Sequence, residues 1–149
     1  LRLVGSEMCI RDRFVAVATP DIAAKYKNKS VNELFHERLI IREQGSGSRN
    51  IFEGWLKNMG YDISHFSNVT EIGNIGAINS LVKDGFGIAF GYYAAVDEHV
   101  KEGELSVIDI EGMDISHDIM FIYRKKSIYE KMYVKIYEEM RDNPHITTA

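Results

Sequence analysis

Cysteine is almost absent from this 149-residue chain, where Cys9 stands alone. One thiol builds neither a disulfide framework nor a thiolate metal cage, which fits a reducing compartment. Positive charge is also short. Lys and Arg number 18 against 22 Asp and Glu, a net charge of -4. That balance excludes a chain that grips nucleic acid by bulk electrostatics. The two basic clusters, Lys25/Lys27/Lys29 and Arg124/Lys125/Lys126, read as solvated edges. No apolar run approaches the length needed to span a bilayer. Internal repeats and low-complexity segments are missing too. What remains is ordinary for a globular chain. The 45% hydrophobic and 27% charged residues suffice for one domain, or two small lobes, with a real core.

Catalytic and cofactor signatures are equally thin. His36, His65, His99, His117 and His145 are scattered, none with a partner at metal-ligand spacing. Gly45-Ser46-Gly47-Ser48-Arg49-Asn50 starts like a dinucleotide fingerprint but has Asn50 where the third glycine belongs. Gly85-Phe86-Gly87 fails likewise at Phe90, and no phosphate-loop lysine follows either turn. Ser46 and Ser48 lack the strained elbow of a nucleophile. The acidic pairs Asp97/Glu98 and Glu138/Glu139 diverge as neighbours on helices. The sequence therefore predicts no catalytic residue, no metal and no cofactor.

What the chain does have is a strand that runs into a glycine-serine turn and then a helix, Ile40 to Arg49. The first amides of a helix have no internal partners and carry partial positive charge. Gly45, Ser46, Gly47 and Ser48 leave those amides uncovered and add hydroxyls, a seat for a small anion such as a carboxylate. A second strand-turn-helix junction lies at Gly73-Asn74, with Asn74 as N-cap.

Around these turns the pattern alternates. Strands are predicted at 14–18, 39–41, 66–72, 87–91, 105–110 and 119–123. A short helix follows the capping-box pattern Ser30-Val31-Asn32-Glu33. Further helices are predicted after the glycine turn, from Ile75 to Gly85, from Tyr92 to Val100, and from Ile128 to Arg141. Ile51, Phe52, Trp55, Leu56 and Met59 share one helical face, with Gly60 as the stop. Trp55 reads as core. Tyr92 and Tyr93 follow a buried strand, where a pocket would open, and stay between core and pocket. The alternation argues for a three-layer α/β sandwich with mostly parallel strands, its ligands beyond the strands' carboxyl ends.

Residues 1–13 have no clean period and no signal-peptide pattern. Val4 to Arg13 resembles translated sequencing-adapter read-through, so 1–13 is expected to be a non-native extension of a piece of a longer protein; a natural extension is the alternative. Residues 143–149 read as a frayed tail.

In order and spacing, these pieces resemble the effector-binding domain of LysR-type transcriptional regulators. Leu39 to Arg49 resembles that family's strand and Gly-Ser-Gly-Thr/Ser-Arg turn. Glu71-Ile72-Gly73-Asn74 through Ile78 resembles its next helix, and Val82 to Phe90 resembles its "V-x-x-G-x-G-I-A" strand. Gly103-Glu104-Leu105 and Phe121 to Lys125 match later landmarks. The resemblance implies a two-lobed, type 2 periplasmic-binding-protein-like fold with a small effector between the lobes. On that template 14–38 and 114–142 belong to a truncated first lobe and 39–113 to a complete second one. Phe14–Ala18 and Phe121–Tyr123 would then lack sheet neighbours. The template turns Thr19, Gly45, Ser46, Ser48, Asn74, Ile75 and Tyr92 toward the effector. Ile75 offers only its backbone amide where many members have a hydroxyl, and Arg49 faces either an anionic effector or solvent. The resemblance further implies a cytoplasmic, non-membrane protein and a dimer or tetramer at full length. DNA would be bound only through a helix-turn-helix outside these residues. A solute-binding protein of a transporter, with the same fold, is the alternative, and a small dehydratase a third.

Overall fold

Phe14 to Ala18 forms the predicted buried strand, but only as the end of a longer one. In the computed structural model, which describes residues 5–142 (5–10 by backbone alone), β1 runs Gly5–Ala18. Its first half pairs with β6 (Ile115–Arg124) as an antiparallel ribbon, from Gly5 opposite Arg124 to Phe14 opposite Ile115. Its second half enters a sheet between β4 (Ile88–Tyr92) and β5 (Ser106–Ile108), antiparallel to both. β2 (Arg38–Ile41) lies parallel to β3 (Asn68–Glu71) on one side and to β4 on the other. The order is β3-β2-β4-β1-β5.

Several expectations change here. The sheet is mixed, because every pairing of β1 is antiparallel. A run that is apolar on both faces reports burial but not direction. Residues 5–13, without side-chain period, are strand because backbone pairing with β6 needs none. Phe14 to Ala18 does not lack neighbours: it has strands on both edges and is wholly buried. Residues 14–38 and 39–113, set in different lobes on the family template, share this sheet and its core. Phe121 to Tyr123 pairs with Ser6 to Met8 of β1. The proposed tail at 143–149 lies outside the described residues.

The three layers follow from strand alternation. On one face Phe14, Ala16 and Ala18 of β1, Leu39 and Ile41 of β2 and Ile88 of β4 pack against α1 (Pro20–Lys25) and α2 (Gly47–Asn58). On the other face Val15, Val17, Ile40 and Ala89 meet Ile78 and Val82 of α3 (Ile75–Lys83), with Val96 before α4 (Asp97–Lys101). Each fully buried Val, Leu, Ile or Phe among them contributes about 1.5–3 kcal/mol. Phe52, Trp55 and Leu56 bury the predicted face of α2, but Met59 is 40% exposed because the helix ends there, at Gly60. Gly87 is required by crowding: a Cβ there would sit 2.3 Å from the Arg38 carbonyl oxygen, where β4 starts beside β2.

Two helix predictions are corrected. Val31–His36 is a 3-10 turn without the predicted side-chain cap, since the Ser30 hydroxyl donates to Glu111 instead (3.1 Å). The predicted helix from Tyr92 to Val100 is a 3-10 turn, Tyr93–Ala95, followed by α4. Beyond the ribbon, α5 (Glu130–Asp142) packs on β6 through Tyr133 against Tyr123 and Tyr137 against Phe121.

Candidate functional site

β2 and β4 are parallel neighbours, so their carboxyl ends lie side by side. Beyond them opens a cavity of about 570 Å³. Arg42 to Ser48 forms one wall, leading from β2 into α2. Gly45, at φ 89°, takes a left-handed turn that an L side chain resists. Ser46 is the N-cap of α2, its Oγ accepting the Arg49 amide at 3.3 Å. The Gly47 and Ser48 amides, at the start of a 12-residue helix, have no partner within it. Ile75, Ile78 and Asn79 of α3 form the facing wall, and Val17, Ala89 and Val96 add an apolar floor. Tyr92 closes the end of β4, with its ring edge-on to Phe14 at 5.6 Å. Burial, and then the Asp12 charge, push its phenol above the ordinary range.

Of the residues the sequence singles out, Gly45, Ser46, Ser48, Ile75 and Tyr92 line this cavity, while Thr19 and Asn74 do not. Thr19 follows the carboxyl end of β1, and β1 is antiparallel to β4, so it lies at the opposite end of the sheet. Its hydroxyl instead holds the Asp21 carboxyl below its usual range. Asn74 spends its side chain as the α3 cap, accepting the Ala77 amide at 2.9 Å. Arg49 also turns away. It bonds to Glu53, Glu71 and the Arg42 carbonyl, which leaves it no role in neutralising a ligand here.

The charged groups of the wall neutralise one another. Arg42 holds Glu43 bidentately, at 2.7 and 2.9 Å, and this guanidinium draws the Glu43 carboxyl down to about 2. The remaining attraction for an anion is the start of α2 with its two serines.

Sequence reasoning missed Asn79, 8% exposed, whose Nδ2 donates to the Ala95 carbonyl at 2.8 Å. A polar residue inside the Ile75/Ile78/Val82 stripe was the available signal. It also missed Asp12, 8% exposed, which accepts the amides of Arg13 (2.8 Å) and Ala94 (3.1 Å) and so ties β1 to the turn after β4. Arg13 lies over the Tyr93 ring at 4.5 Å, so Tyr93 serves that joint rather than the cavity. Trp55 is core, as the sequence predicts, its indole N–H donating to the Gly112 carbonyl. His99, Glu102 and Glu104, close neighbours in the sequence, also bring one ligand atom each to within 4.8 Å of one another. Glu104 there is already bonded to Lys83 and His99, which hold its carboxyl below the usual range.

The model of the LysR substrate binding domain family matches residues 2–132. The HTH-type transcriptional regulator CbbR of Xanthobacter flavus is 30% identical over 114 residues, 76% of this chain and 33% of that protein. The phosphonates import ATP-binding protein PhnC of Anaeromyxobacter dehalogenans is 28% identical over 118 residues, 79% of this chain and 24% of that protein. The chain thus spans about a quarter to a third of these two relatives. Among solved structures, the regulatory domain of CcmR from Synechocystis PCC6803, in complex with 2-PG, has a TM-score of 0.73 at 19% identity. That match covers 95% of this chain and 67% of the other, and it is a likeness of fold.

Proposed function

The chain belongs to the LysR substrate-binding domain family, and we propose that it is the effector-sensing part of a LysR-type transcriptional regulator. A small anionic metabolite binds in the cavity and biases DNA binding by a helix-turn-helix outside this chain. The domain senses and does not catalyse. It works in the cytoplasm within a homo-oligomer, a dimer or tetramer of the full-length protein. Such coupling is typically worth about 1–3 kcal/mol, and by linkage DNA and effector alter one another's affinity equally.

The observation that carries this reading is the cavity itself. The start of a 12-residue helix, with Ser46 and Ser48, borders one side of a space whose floor is apolar. A carboxylate at the helix start and a carbon skeleton over Val17, Ala89 and Val96 satisfy both halves. The family match favours this over a solute-binding protein of a transporter.

Calorimetry with a panel of small carboxylates is the test. Binding that Ser48→Asp weakens by about tenfold or more, through charge repulsion at the helix start, supports the reading. A panel without a single binder overturns it.

A further inference from the structure

We propose that this cavity selects a small acid that also carries a hydrogen-bond donor, such as a hydroxy acid, and that Asn79 reads the donor. The inference rests on the anion reading above and narrows it. Asn79 sits in the second turn of α3 and is more than nine-tenths buried. Its Nδ2 donates to the Ala95 carbonyl oxygen at 2.8 Å. The opposite amide orientation would set two acceptors against each other, so chemistry fixes Oδ1 as the free end.

No donor among the described residues reaches that oxygen. Yet no side-chain polar atom sealed from solvent among them is without a partner. The Asn79 oxygen therefore keeps some access to the spaces that the residue lines. Asn79 stands between the 570 Å³ cavity and a recess of about 160 Å³ beside Asp97 and His99. Only the larger space has room for a metabolite with an apolar body. Ile78, Ala89 and Val96, which line that space with it, have apolar side chains. A ligand that meets Oδ1 with a hydroxyl pairs it. A ligand that meets it with a keto or ether oxygen leaves two acceptors facing each other.

The discrimination follows the logic by which a site built to hydrogen-bond a group rejects the analogue without it. The probes are mandelate, O-methylmandelate, phenylacetate and phenylglyoxylate, each with a carboxylate and a ring, titrated into this chain by calorimetry. Mandelate is expected to bind at least about tenfold tighter than the other three. In Asn79→Leu the four acids should fall within about twofold of one another. Should Asn79→Leu fail to fold through loss of the Ala95 bond, mandelate against its methyl ether on the unaltered chain still decides. Equal binding of those two, or a preference that survives in Asn79→Leu, overturns the donor reading alone. Failure of all four acids to bind overturns the anion reading as well.

Discussion

β1 is one strand in two settings. Residues 14–18 have strands on both edges and helices on both faces, and all five are buried. Residues 5–13 are paired along one edge, in a ribbon whose other strand exposes Ile119, Met120 and Ile122. Backbone pairing is continuous across the boundary, but it passes from one partner strand to two. Burial on both faces marks 14–18, and burial is the dominant favourable contribution to folding. Strand assignment alone therefore says little about where stability resides.

The largest effect should come from the buried half. Phe14→Ala empties a fully buried site and should cost about 3–5 kcal/mol in denaturant unfolding; a cost below about 1 kcal/mol would erase the contrast. Next comes the boundary. Asp12→Ala leaves the Arg13 and Ala94 amides without their acceptor and should cost about 1–3 kcal/mol, with faster hydrogen exchange at Ala94.

A smaller effect is expected at the cavity wall, on the sheet side. Arg42 depresses the Glu43 carboxyl from 4.5 to about 2. Its stabilising share is thus present above pH 4.5 and is lost as the pH falls through about 2. Partial exposure keeps that share small. A carbon-detected titration of Glu43 with a midpoint above 4 would remove the pair from the account. The smallest effect belongs to the ribbon. Ile122, 54% exposed, should tolerate Thr within about 0.5 kcal/mol while binding of a hydrophobic dye falls.

Much of this was legible in the sequence, but unevenly. The helical period of α2, the Gly45 turn and the apolar runs of β2 and β4 carry their own signals, and each element lies where its pattern puts it. Strand direction carries no local signal. The family template put Thr19 beside the effector, and the antiparallel entry of β1 places it at the far end of the sheet. The cavity wall made by Gly45, Ser46 and Ser48 was readable because turn chemistry and helix starts are local. Its floor was not, because the pattern marks Val17 and Ala89 as buried without telling packed atoms from empty space. Asp12 was hidden for another reason: its acceptor role depends on Ala94, far along the chain.

The alternation of β1 has a genetic consequence. Phe14, Ala16 and Ala18 belong to one layer and Val15 and Val17 to the other. A single codon inserted between 14 and 18 keeps every original amino acid yet exchanges the layers beyond it, turning Val17 away from the cavity. The same codon inserted among 115–124 meets only one partner strand, where a bulge can absorb it. Reading-frame-preserving insertions should therefore be lost from the first stretch and recovered in the second.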